Sequence, residues 1–257
     1  MDGGVVVSER WRFCSGITHS SWLFAGCMLA SRDGESVQRV VAMPTAALEI
    51  VDTWRTAGLR GTGSHDAVAH EVFVPSHRLL SLFEGPPAGS PPLYRFPLVG
   101  FFAASIAAAT LGNARGAIEE LSQLAHLKKS VGSTRTLAER PLTQSEVARS
   151  EAALRAARLL FFQAVDDAWQ AAHSEEPVPD TVRTGLRLAS AHATCTAADV
   201  VSSMYELAGG AAIYEESPLQ RRFRDAHTAT AHIQVSAPMF ELTGRMLLGL
   251  PTHTHLL

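Results

Sequence analysis

The sequence predicts an α+β protein: a β domain followed by an up-down bundle of four helices. Three observations carry this expectation. Apolar residues alternate or run in short stretches before about residue 80, and they recur at steps of three and four beyond residue 96. Between the two regimes lies a tract, residues 85–92, holding four prolines and two glycines. Residues 1–82 are therefore expected to form the β domain, 83–95 a linker, 96–250 the helical bundle and 251–257 a tail.

In the β region, Asp2-Gly3-Gly4 reads as a turn before the extended Val5-Val6-Val7, and Trp11-Arg12-Phe13 alternates. Apolar runs at 22–29 and 37–43 are split by Ser31-Arg32-Asp33-Gly34, whose Asp-Gly pair is a hairpin signal. Strands at 48–54 and 67–74 follow, the latter closed by Pro75. The first helix presents Leu111, Ala114, Ile118, Leu121 and Ala125 on one face. The second opens at Thr143-Gln144-Ser145-Glu146, where Thr143 can cap and Glu146 can reach back. Val147, Leu154, Phe161 and Ala168 then recur every seven residues, a seam for an antiparallel neighbour. The third helix, 180–208, aligns Val182, Leu186, Ala189, Ala193, Ala197, Val200, Met204 and Leu207, and stops at Gly209-Gly210. The fourth starts at Ser217-Pro218-Leu219-Gln220, with a cap, a first-turn proline and a box partner. Pro238 should kink or interrupt it before it ends near residue 249.

Composition narrows the function. With 46% hydrophobic and 18% charged residues the chain is globular. A net charge of −3 argues against a nucleic-acid partner, which wants a basic excess. The odd number of cysteines, Cys14, Cys27 and Cys195, includes no CxxC pair, so free thiols in a reducing cytoplasm are expected. No basic leader runs into an apolar stretch, which also predicts a cytoplasmic protein. The most apolar stretch, 96–112, is short for a bilayer and contains Ser105 and Thr110; a buried helix and no membrane partner are expected.

Three segments could carry chemistry. Trp11-Arg12-Phe13-Cys14-Ser15-Gly16 is first of all a core strand running into a turn. It also offers an aromatic wall and a hydroxyl to a flat redox-active ring. Gly58-Leu59-Arg60-Gly61-Thr62-Gly63-Ser64-His65-Asp66 is glycine-rich but lacks both the GxGxxG order and a P-loop lysine, so a turn explains it as well as a phosphate cradle does. Arg221, Asp225, Thr228 and His232 step by four, three and four along one helix face. Such a stripe is ordinarily a solvated side, but a histidine there can move a proton near neutral pH. No metal site is expected: His227 and His232 are five apart, and His253-Thr254-His255 lies at a terminus. No GxSxG occurs for a serine hydrolase.

Taken in order, these segments resemble the acyl-CoA dehydrogenase superfamily. Phe13-Cys14-Ser15-Gly16 sits where that superfamily has its flavin segment, Gln144 where its second bundle helix begins, and Gly209-Gly210 with Arg224-Asp225-Ala226 match its C-terminal signatures. The resemblance implies a partial middle β domain and a complete C-terminal bundle of the acyl-CoA dehydrogenase type. It also implies that a helical domain of roughly a hundred residues normally precedes this point, a domain-sized piece.

Within the superfamily the chain looks like the flavin-dependent monooxygenase branch, through Arg10–Gly16, Trp54, 58–64 and Arg224-Asp225 with His232. The glutamate many acyl-CoA dehydrogenases use as base would fall at His232 or Ile233. By resemblance, a separate flavin reductase supplies reduced flavin (FMN or FAD). Molecular oxygen then gives a flavin C4a-(hydro)peroxide, and one oxygen passes to an aromatic or polyketide-like small molecule. Phe13, Cys14, Ser15, Gly16, Gly209 and Gly210 would meet the cofactor, Ser15 donating towards flavin N5. His232 would be catalytic beside the ring, and Arg135, or alternatively Arg115, would meet the phosphate. The family implies a homo-oligomer, a tetramer, or a hetero-oligomer. Two other readings are a non-catalytic subunit of a heteromeric complex and a true acyl-CoA dehydrogenase.

Overall fold

The computed structural model describes residues 3–30, 36–82, 84–85, 87, 89–129, 131–254 and 257. The chain divides into two compact units, residues 1–85 and 86–257.

The first unit contains two three-stranded antiparallel sheets. One has the order β1-β5-β4, from Gly4–Cys14, His65–Pro75 and Glu49–Val51. The other has the order β2-β3-β6, from Trp22–Ala30, Ser36–Pro44 and Leu79–Leu80. β2 and β3 pair from Trp22 opposite Pro44 to Ala30 opposite Ser36, the pairing the hairpin signal predicted. The Asp33-Gly34 turn itself lies outside the described residues. Val7, Ala69 and Val74 of one sheet and Ala25, Val41 and Met43 of the other share one buried cluster. β4 is shorter than the expected 48–54 strand. The N–H groups of Thr53 and Trp54 both donate to His65 Nδ1 at 3.2 Å, so the chain leaves the β5 ladder after Val51.

In the second unit a short helix, α1 (Pro92–Arg95), precedes three long ones, α2 (Leu98–Leu127), α3 (Pro141–Ala171) and α4 (Asp180–Ala208). α5 (Pro218–Thr230) and α6 (Pro238–Leu247) complete the unit. α4 is central, packing on α2, α3, α5 and α6. The expected stripes meet there: Leu111, Ala114, Ile118 and Leu121 with Leu154 and Phe161, and with Ala193, Ala197, Val200 and Met204. α2 is long and apolar enough to cross a membrane, yet Ala103, Ala107, Leu111 and Leu121 are buried inside the bundle.

Two expectations at helix ends are corrected, and the interruption expected at Pro238 is present. α3 starts at Pro141, with Arg140 at the cap position and no side-chain cap, so Thr143 is a buried first-turn residue and no capping box forms. Proline at the first helical position is pre-set for helix and its missing N–H costs nothing there. Ser217 does precede Pro218, but its side chain does not cap, and Gln220 donates instead to the Glu215 carbonyl. The fourth helix ends at Thr230, and Pro238 begins a separate helix. Proline cannot donate to residue 234 and its ring would strike that carbonyl, so the chain turns over 231–237 and restarts with Pro238 in its first turn.

Candidate functional site

β1 ends on a bulge. Its register on β5 shifts between Trp11 and Cys14, and the intervening Phe13 takes φ 60°, the left-handed region. Holding a bulky residue there costs on the order of 1–2 kcal/mol. Gly16 follows at φ 74°, where only glycine is unstrained. The facing segment repeats the pattern, with Leu59 at φ 52° and Gly63 at φ 51°. The two segments are stitched together by Gly16 N–H donating to the Thr62 carbonyl at 2.8 Å. Strain of this kind, concentrated in two touching loops, marks functional backbone more often than core backbone.

The side chains there divide by direction. Cys14 points into the core with Ile17 and Ala67, and burial pushes its thiol pKa up. Phe13 is 73% exposed and meets the Trp54 ring edge-on, with centroids 6.1 Å apart. Trp54 is fixed by its indole N–H, which donates to the Leu59 carbonyl at 3.0 Å. Ser15 is exposed, and its Oγ lies 2.8 Å from Ser64 Oγ, which in turn lies 2.7 Å from Thr62 Oγ1. Thr62 Oγ1 bonds the Leu59 carbonyl at 2.9 Å. A chain of three hydroxyls thus runs inward from the surface, with Ser64 itself buried. The sequence singled out Phe13 and Ser15 but gave Thr62 and Ser64 no role of their own within a glycine-rich segment read as a turn or a phosphate cradle. The alternating Thr-Gly-Ser was the available signal.

Beneath this corner Arg10 donates to Asp66 Oδ2 from Nε at 2.8 Å and Nη2 at 2.6 Å, and Thr53 donates to Oδ1 at 2.9 Å. These bonds, the Arg10 pair first, hold the Asp66 carboxyl below the usual carboxylate range. They lock β1, β5 and the loop carrying Trp54.

The remaining expected residues lie in the helical unit. Gly209, at φ 52° and ψ −143°, ends α4 in a conformation essentially confined to glycine, and Lys128 Nζ donates to the preceding Ala208 carbonyl. Gly209 and Gly210 are exposed, and nothing stands within 4 Å of where a Cβ on Gly210 would be. His232 departs from expectation. It lies two residues past the end of α5, so only Arg221, Asp225 and Thr228 share the helix face. The residue is exposed, yet partial desolvation of its ring lowers its pKa below the ordinary histidine value. Its Nδ1 accepts from the Gln234 N–H at 3.2 Å, which makes Nε2 the protonated nitrogen of the neutral ring. Arg115 is spent on a bidentate ion pair with Glu151, at 2.7 and 3.0 Å, whereas Arg135 is exposed in the 128–140 loop. No group of three or more metal-binding side chains occurs among the described residues.

A flavin would fit the β-unit corner on two counts. A large aromatic stands exposed in a strained conformation, and a polar hydroxyl line opens beside it. A ring with one apolar face and a polar edge matches both.

The chain is 37% identical over 251 residues to an indole-3-acetate monooxygenase of Pseudomonas putida, covering 97% of this chain and 64% of that protein. It is 30% identical over 243 residues to the flavin-dependent monooxygenase oxygenase subunit HsaA of Mycobacterium tuberculosis, covering 90% of this chain and 61% of that protein. The chain therefore spans less than two thirds of the length of these relatives. The solved structure of XiaF from Streptomyces sp., in complex with FADH2 and glycerol, superposes with a TM-score of 0.90 at 28% identity, over 98% of this chain and 66% of that one. Residues 104–237 match the acyl-CoA dehydrogenase C-terminal domain, and by that match, over the bundle described above, the chain belongs to the acyl-CoA dehydrogenase family.

Proposed function

We propose that this chain acts in the oxygenase component of a two-component flavin-dependent monooxygenase, hydroxylating an aromatic or polyketide-like small molecule. The observation that carries the reading is the strained corner of the β unit, where exposed Phe13 and the Ser15 hydroxyl line stand side by side. Relatives named as monooxygenases and a neighbour holding FADH2 support it. Bound reduced flavin, FAD or FMN, would supply the electrons that activate molecular oxygen, delivered by a separate reductase. The chain's own residues bind and orient. Phe13 walls the ring, and the backbone of Cys14 and Gly16 shapes the bend that presents the Ser15 hydroxyl at N5. Gly209 and Gly210 admit cofactor close to backbone, and Arg135 meets its phosphate. Neutral His232 holds or moves a proton at Nε2. We further read the protein as a cytoplasmic homo-oligomer, a tetramer.

The test supplies reduced flavin from a reductase, ¹⁸O₂ and a panel of phenolic and indolic acceptors to the full-length protein. One ¹⁸O atom in the product is expected, and octanoyl thioester should stay saturated. His232→Ala should slow product formation by about 100-fold or more, the scale of a positioned acid–base group, while leaving flavin affinity within a few-fold. Desaturation of the thioester without label would overturn the reading. Unchanged turnover in the His232 variant would remove that residue from the chemistry.

A further inference from the structure

Arg187, two turns into α4, is 1% exposed, and burial pushes its pKa down to about 10, which still leaves a cation at neutral pH. No carboxylate pairs with it among the described residues. A buried charge without an opposite charge is a poor device for stability, because a hydrophobic side chain of similar volume often serves the fold as well or better. Its bonds show what it holds instead. Nη1 donates to the Gln234 side-chain oxygen at 2.7 Å and to the Val99 carbonyl at 3.3 Å. Nη2 meets the Met239 sulfur, and Nε has no partner. The short charge-assisted bond to Gln234 is the strongest of these. Gln234 in turn donates its own N–H to His232 Nδ1 at 3.2 Å, the one bond to that ring among the described residues. Two bonds therefore connect a rigid guanidinium in the core to an exposed ring on the 231–237 turn.

We propose that Arg187 is a positioning residue for His232: by holding the Gln234 side chain it pins the turn, so that the Gln234 N–H occupies Nδ1 and the neutral ring keeps its proton at Nε2. The inference rests on the reading above that His232 holds or moves a proton at that nitrogen. Backbone bonds alone do not fix the ring. The His232 carbonyl accepts from the Val235 and Ser236 N–H groups at 2.9 and 3.0 Å, which closes the turn. Those bonds bracket the Gln234 peptide without holding it, since its N–H goes to the ring and not to backbone. The Gln234 side chain, tied to Arg187, supplies the missing hold.

Diethyl pyrocarbonate acylates the unprotonated nitrogen of a neutral imidazole, and peptide mass spectrometry reads the rate at each histidine. In the flavin-free full-length protein the His232 Nδ1 lone pair is occupied, so His232 should react slowly. Arg187→Met removes the donor at similar volume, and Gln234→Leu removes the acceptor. Each should raise the His232 rate by about 3- to 10-fold, the scale of one neutral hydrogen bond, with His192 of α4 unchanged. Gln234→Glu keeps an oxygen for the guanidinium and should retain the parent rate. Loosening of the bundle would raise His192 and His232 together. That result, or an unchanged His232 rate, overturns the proposal. Gln234 is only partly buried, so its leucine variant carries the test if Arg187→Met does not fold. Turnover separates the two levels. Product formation should fall by about 10- to 100-fold in Arg187→Met, the scale of a catalytic group misplaced by roughly an ångström. In a His232→Ala background the same change should cost nothing further. An equal loss in that background would mean that Arg187 acts elsewhere, and the proposal fails. If labelling responds as expected but His232→Ala keeps full turnover, the ring is positioned as proposed and the catalytic reading of His232 fails.

Discussion

Asp66 shows how a single carboxylate underwrites the candidate site. It is almost fully buried, and both of its oxygens are bonded, to Arg10 and to Thr53. Because its folded pKa is depressed, its contribution is present above the unfolded carboxylate value of about 3.9 and is lost as pH falls through the lower folded value. Asp66→Asn should therefore lower stability at neutral pH. Its disadvantage relative to the parent should shrink as pH falls through the carboxylate range. Urea unfolding at pH 7 and pH 3, followed by tryptophan fluorescence, measures this. The probe suits the purpose, since three of the four tryptophans, Trp11, Trp22 and Trp54, lie in the β unit. A stability gap that is the same at both pH values would show that Asp66 does not titrate as the geometry requires.

Among the elements, α3 best separates packing from surface. Leu154 is 2% exposed in the seam against its neighbours, while Leu142 on the same helix is 74% exposed. Leu154→Ala should cost about 2–5 kcal/mol, whereas Leu142→Ala should fall within about 0.5 kcal/mol. Denaturant midpoints at constant slope would check both. This contrast was legible in the sequence because a seven-residue spacing is a property of one helix alone. The β2–β3 hairpin was legible for the same reason, its signal being local. The end of the fourth helix was not. Pro238 announced a break, but the break falls at Thr230, where a turn closed in part by the Gln234 N–H on His232 Nδ1 takes over. That bond also removed His232 from the helical stripe on which spacing had placed it. The hydroxyl chain was hidden for a different reason. Ser15 and Ser64 are 49 residues apart, and they meet only because β1 and β5 pair with a bulge that sets Cys14 opposite His65. Residue types were readable there, but the contact was a product of register.

At the scale of the whole molecule, α3 leaves Leu159, Leu160 and Phe162 exposed together on one stretch of helix. Apolar surface of this kind marks association, and sedimentation of the full-length protein at micromolar concentration should show an oligomer. A clean monomer would count against the proposed tetramer. The central claim concerns the β unit, where strained backbone and three hydroxyls converge on one exposed aromatic corner. A crystal structure of the full-length protein grown anaerobically with reduced FAD tests that claim most directly. The flavin ring is expected against Phe13, with N5 about 3 Å from Ser15 Oγ, within hydrogen-bond distance. Ordered flavin bound elsewhere, with the Ser15 corner empty, would contradict it.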